Sequence, residues 1–230
     1  MADQSSLSDA DRPLCDLSAF KNPEYDPGRG LLVRTLWYYC SLLFLESGWL
    51  PASGFKSRLL RLFGAQIGHG VNFKPHVRIK YPWRLSIGDH CWIGQNVWID
   101  NIEDVTIGSH VCVSQYAYFC TGSHDHRSPT FNLLAKPIVV HTGAWIGARA
   151  TLLGGVEVQA NAIAAAGSVV VKSIPAATIV GGISKKQTTE NATRRSAHAR
   201  RLCSKPIELL APSSGEGNAL PHRQRARPDQ

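Results

Sequence analysis

From Ile67 onward, apolar and polar positions alternate in a six-residue rhythm. Apolar residues stand at Ile67, Phe73 and Ile79; Ile87, Ile93 and Ile99; Ile107, Val113 and Phe119; Val140, Ile146 and Leu152; and Val158, Ala164 and Val170. Four residues after each, the side chain is usually small, as at Val71, Val77, Cys91, Val97, Val111, Ala117, Ser123, Ala144, Ala150, Val156, Ala162 and Ser168. Glycine often follows the apolar position, as at Gly68, Gly88, Gly94, Gly108 and Gly147. A large apolar residue can fill an interior, a small one fits a corner, and Gly, Asn and Asp tolerate the backbone of the bend between them. Three hexads then close one triangular coil. A single coil cannot bury its own face, so coils stack and hydrogen-bond as parallel strands. The predicted fold class is mainly β, a parallel β-helix of about five coils, each about 4.8 Å high, or about 24 Å in all. Two-residue insertions separate the first three coils and are expected at corners.

Upstream the pattern is different. Residues 1–30 are polar with Pro13, Pro23 and Pro27, and read as an extended arm. Residues 31–45 are strongly apolar and are ended by Gly48 and Pro51, which predicts a helix. That run is too short to span a bilayer and carries Arg34. A second, amphipathic helix is expected over 53–63, with Lys56, Arg58 and Arg61 outside and Phe55, Leu59, Leu62 and Phe63 inside. Both helices are expected to pack on the main domain, and docking on a membrane face is the alternative. The resulting division is 1–30 arm, 31–66 N-terminal helices, 67–187 β-helix and 188–230 tail. The tail holds eight Arg or Lys against four acids, +4 of the net +8, with few large apolar residues. Such a segment is expected to be disordered and solvated rather than a nucleic-acid arm.

Composition narrows the classes. Apolar residues make up 43% and charged residues 18%, as in a soluble globular chain. None of the six cysteines forms a C-x-x-C pair, which argues against a zinc knuckle or redox motif. The polar residues 1–13 lack the apolar core of a signal peptide, so a reducing, cytoplasmic setting is expected.

The repeat has one large break. After Phe119 the next hexad begins at Val140, so about fifteen residues are looped out, roughly 125–139, and a loop of that size in a periodic fold points to function. It opens on Thr121-Gly122-Ser123-His124-Asp125-His126. His124 is the candidate general base, because a neutral imidazole can take a hydroxyl proton in a transition state. His126 is the competitor two residues on. Asp100 and Asp125 are candidates to orient the imidazole or bind acceptor hydroxyls, and either can equally be a corner or turn carboxylate. Trp145 occupies an outward hexad position, where a subunit interface or a ligand would cover it.

The hexads resemble the left-handed β-helix acyltransferases. The wider chain is similar to the branch that includes colanic-acid biosynthesis, nodulation and maltose O-acetyltransferases. The matching stretches are Leu62-Phe63-Gly64-Ala65-Gln66-Ile67-Gly68, Arg78-Ile79-Lys80-Tyr81-Pro82-Trp83, Trp98-Ile99-Asp100-Asn101, Cys120-Thr121-Gly122-Ser123-His124-Asp125, Lys136-Pro137-Ile138 and Ala166-Gly167-Ser168-Val169-Val170. The resemblance covers roughly residues 17 to 182. The resemblance implies left-handedness, a homotrimer with the active site between subunits, and acetyl transfer from acetyl-CoA to a sugar or lipid-linked saccharide hydroxyl in polysaccharide biosynthesis. It also implies His124 as the base, Trp145 lining the site, Ala148 and Ala166 along the cofactor groove, and Lys172 near the cofactor phosphates. No metal and no nucleic acid are expected, and peripheral contact with the inner face of a membrane is left open. The chain departs from the family at Val171, where a Thr often stands, and at 181–187, which replaces the usual closing turn. Two other classes use this fold. A γ-class carbonic anhydrase needs three His on zinc, two of them in an H-x₄-H-like spacing that no pair of histidines here shows. A non-catalytic β-helix scaffold needs no site at all.

Overall fold

The computed structural model describes residues 17–20 and 25–182. Most of the arm, the stretch 183–187 and the basic tail lie outside the described residues, and with them the disorder expected of the tail.

The hexads do form a stacked triangular coil. Wall one is built from Gln66–Ile67, Leu85–Ile87, Val105–Ile107, Ile138–Val140 and Glu157–Val158. Wall two runs from Asn72–Phe73 through Trp92–Ile93, Cys112–Val113, Trp145–Ile146 and Ile163–Ala164 to Ile179–Val180. Wall three holds Arg78–Ile79, Trp98–Asp100, Tyr118–Cys120, Thr151–Leu153 and Val169–Val170. Each wall is a parallel sheet whose neighbours come from successive coils, as Ile87 pairs with Ile107 and Trp145 with Ile163. Five coils are complete. A sixth begins where Ile174 bridges to Val158 and Ile179–Val180 extends wall two. All fifteen hexad residues are buried in one continuous core. Of the small residues, Ser123 departs from the pattern and is exposed, because the chain has already left the coil there.

The bends are made differently from the expectation. The left-handed backbone positions at the corners are taken largely by His76, His90, Asn96, His110, Tyr116, Arg149 and Asn161. The glycines that follow the hexad residues serve close approach instead. A Cβ on Gly147 would stand 2.5 Å from the Ala166 nitrogen and 2.7 Å from the Ala164 oxygen of the next coil. No side chain fits there without parting the coils.

Helix α1 spans Leu31–Cys40 and runs on through a π-turn at Ser41–Leu45, and helix α2 spans Ser53–Leu62. Both close the first coil. Amides just past the hexad residues of a lower coil donate upward, as Gly68 to Ile87 and Lys74 to Ile93, while other bonds run downward, as His90 to His69. The first-coil carbonyls of Ile67, Phe73, Lys74 and Ile79 have no lower coil to serve and need other donors. The helices supply them: Trp37 Nε1 to Ile79, Arg61 Nε to Ile67, Ser53 Oγ to Phe73 and Lys56 Nζ to Lys74. This corrects the expected orientation of α2. Lys56 is fully buried, whereas Phe55 and Leu62 are exposed. Burial holds the Lys56 pKa below its ordinary value.

Candidate active site

The chain leaves wall three after Cys120 and makes an antiparallel hairpin of Gly122–His124 against Leu133–Ala135. The excursion is thus Gly122 to Ala135, earlier than the expected 125–139, because Ile138–Val140 has already rejoined wall one. Its two ends are tied together where Lys136 N donates to Thr121 O at 2.9 Å. The tip is organised by its own bonds, Asp125 N to Asn132 O, Ser128 N to Asp125 O and Phe131 N to Ser128 O.

His124 closes the first hairpin strand, half-buried. Its Nδ1 lies 3.0 Å from the carbonyl oxygen of Phe131. A carbonyl can only accept, so Nδ1 carries the proton and Nε2 of the neutral ring keeps its lone pair. Phe131 has the left-handed φ of 50° that turns this carbonyl toward the imidazole. Its ring lies parallel to the imidazole, centroids 4.3 Å apart and 7° from coplanar. From the N-terminal arm, a short 3-10 turn at Leu17–Ala19 brings Phe20 to 5.6 Å from the same ring, tilted by 58°. Phe131 and Phe20 were not legible as site residues. One acts through a backbone carbonyl and the other is more than a hundred residues away.

The other candidates fall into groups. On wall three Asp100 forms an ion pair with Lys80 at 2.9 Å and accepts the Tyr118 hydroxyl at 3.4 Å. Burial, with Cys120 and the Asp100 charge beside it, pushes the Tyr118 phenol well above its ordinary pKa, so it stays a donor. Asp125 accepts the Arg127 amide at 3.0 Å and so braces the hairpin tip. His126 sits at that tip, exposed. Trp145 is 44% exposed on wall two, its Nε1 donating to Ser114 Oγ at 2.9 Å. Ala148 and Ala166 stack directly, coil on coil, at the corner between walls two and three, where Gly167 N donates to Ala148 O. Lys172 lies at the far end of wall three, exposed, two residues past Val170.

Within one chain the site is therefore split. Trp145, Ala148 and Ala166 flank one edge of wall three, whereas His124 and Lys172 belong to the other. A three-residue strand separates the edges by about 10 Å. A shallow concavity of ≈ 640 Å³ lies elsewhere, on wall one beside Arg61, Gln66 and Thr106, and does not include His124. Among the described residues no three His, Cys, Asp or Glu side chains converge into a metal-holding group.

A coil of this kind, broken once by a hairpin that clamps an imidazole, defines an architecture; relatives define the family. The chain is 38% identical over 170 residues to the putative colanic acid biosynthesis acetyltransferase WcaF of Escherichia coli (strain K12), covering 73% of this chain and 92% of that protein. It is 27% identical to the galactoside O-acetyltransferase of the same organism, over 56% of this chain and 64% of the other. Among solved structures, the hexapeptide-repeat acetyltransferase VCA0836 of Vibrio cholerae O1 biovar eltor, complexed with acetyl coenzyme A, superposes with a TM-score of 0.65. That match is 26% identical and covers 76% of this chain and 96% of the other. No protein-family model matches the chain. The chain belongs to the hexapeptide-repeat acetyltransferases, and is accordingly an acyltransferase.

Proposed function

We propose that the protein transfers acetyl from acetyl-CoA to a hydroxyl of a saccharide in polysaccharide biosynthesis, with His124 as general base. One observation carries the reading: the Nδ1 proton of His124 is spent on the Phe131 carbonyl, which leaves Nε2 as a fixed acceptor. The names of its relatives, acetyltransferases of colanic acid biosynthesis and of galactosides, favour a sugar acceptor. The VCA0836 complex with acetyl coenzyme A favours that donor.

The acceptor hydroxyl oxygen attacks the thioester carbonyl carbon while its proton passes to Nε2. The imidazolium so formed is held by the Phe131 carbonyl and faces two aromatic rings. Collapse of the tetrahedral intermediate breaks the carbon–sulfur bond, and Nε2–H returns the proton to the leaving thiolate. The products are the acetyl ester and free CoA thiol, and the histidine ends neutral. General-base catalysis of this kind contributes about 10²–10⁴-fold.

We assign Trp145, Ala148, Ala166 and Lys172 to the cofactor, with small residues at the corner so that the pantetheine arm can lie against backbone. Asp100 and Asp125 are assigned to acceptor hydroxyls. Because these groups sit on two edges of wall three, the reading requires a neighbouring subunit, and a homotrimer supplies one. The exposed aromatics Trp92, Trp98, Tyr116 and Trp145 on walls two and three support such a partner. The test is thiol release from acetyl-CoA across a panel of mono- and oligosaccharides. His124→Ala is expected to lose the transfer. Wild-type transfer in that variant, or no release with any saccharide, would overturn the reading.

A further inference from the structure

The underside of the prism is not an ordinary surface. Helix α1 gives only Trp37 wholly to the core, and the π-turn after it gives Ser41 and Leu45. The opposite side of α1 is apolar and open: Leu32 is 86% exposed, Leu36 58%, Tyr39 59% and Leu43 57%. These residues follow the i, i+4, i+7 spacing of one helical stripe. Trp49, Phe55 and Leu62 add exposed apolar area from the turn after α1 and from α2. A helix that is apolar on the side away from its domain has a partner there.

The charges say which partner. Between residues 25 and 66 the basic residues are Arg29, Arg34, Lys56, Arg58 and Arg61, and the acids are Asp26 and Glu46. Both acids are occupied. Glu46 takes Ser41 Oγ and Arg78 Nε, and Asp26 accepts the Gly28 amide. Arg29, two residues before α1, and Arg58, on α2, are exposed. Leu-rich area, Trp and Tyr at its margin and cations around it match the depth profile of an anionic bilayer surface. No described helix is long and apolar enough to cross a membrane, so the contact is peripheral.

We infer that α1, the π-turn and α2 form a membrane-docking base that seats the prism upright on anionic phospholipid. The helices lie under the first coil, since their donors go to first-coil carbonyls. Their outer face is thus perpendicular to the walls through which copies of a trimer would meet. In a cyclic trimer with parallel prisms all three bases face one way, and weak single contacts multiply. The inference extends the proposed saccharide acetylation toward acceptors carried on a lipid, yet it does not depend on His124.

Co-sedimentation of the full chain with vesicles tests it. Vesicles of phosphatidylcholine with phosphatidylglycerol should bind the protein at least tenfold more tightly than phosphatidylcholine alone. The triple variant Leu32→Ser, Leu36→Ser, Leu43→Ser should lose that binding by at least tenfold, and Arg58→Glu should weaken it severalfold. His124→Ala should bind vesicles as wild type does, which separates this inference from the catalytic reading. Thiol release with a soluble acceptor and the oligomeric state should be unchanged in the triple variant. Undiminished vesicle binding by the triple variant overturns the inference. So does a change in its oligomeric state, which would assign the stripe to a second copy of the chain.

Discussion

At the scale of single residues, the proposed chemistry rests on one ring held in one tautomer. Replacing His124 by Ala removes the acceptor nitrogen without touching the coil, so kcat should fall by about 10²–10⁴. CoA should raise the melting temperature of that variant as much as that of the wild type, as none of the proposed cofactor residues is altered. Lys56 shows the opposite economy. It is fully buried, with Lys74 O at 3.4 Å as its hydrogen-bond acceptor. Because burial lowers its pKa in the fold, the unfolded chain binds more protons between that lowered value and the ordinary 10.5. Stability should therefore rise with pH through that window, and below it the full cost of the buried charge remains. Lys56→Met should flatten this dependence and raise the melting temperature at neutral pH by a few degrees, about 1 kcal/mol corresponding to ~2–4 °C at this size. Thermal melts of both proteins between neutral and alkaline pH check it.

Among the elements, the hairpin is separable and the helices are not. The hairpin hangs outside the prism, and its ends already meet where Lys136 N reaches Thr121 O. Replacing 122–135 by two glycines should preserve the β-rich circular dichroism spectrum and keep the melting temperature within a few degrees. Acetyl transfer should fall by at least a hundredfold. The helices were legible as elements, since residues 31–45 are an apolar run ended by Gly48 and Pro51 and residues 53–63 have an amphipathic period. The buried face of α2 was not. Amphipathic reasoning sends charge to solvent, but α2 covers a row of strand-edge carbonyls that need donors. Ser53, Lys56 and Arg61 answer that need, so Lys56 goes in while Phe55 and Leu62 stay out.

On the scale of the whole molecule, one chain carries both edges of the site but not a closed one. In the proposed reading, another chain's His124 edge lies across from Trp145 and the Ala148–Ala166 corner. Sedimentation equilibrium should give three copies per particle. Trp92→Glu together with Trp98→Glu should shift it toward monomer and abolish transfer while the coil still forms. Monomeric, active enzyme in that variant would place the site within a single chain.

What the sequence determined by itself was the coil. A six-residue period of large and small apolar positions has one efficient burial, and a break in it stands out at once, so the walls, the core and the place to look for chemistry were all readable. What only the tertiary structure decided was how groups face one another. The Phe131 carbonyl that sets the His124 tautomer has no side-chain signature, since it depends on a left-handed backbone turn. Phe20 reaches the same ring from the far end of the chain. The glycines marked as bends are contacts between coils, because their constraint comes from atoms seventeen or more residues away. Periodicity reports what a residue does within its own turn of chain. Everything that depends on the neighbouring coil, the covering helix or the returning arm is a relation between distant segments, and folding is what creates it.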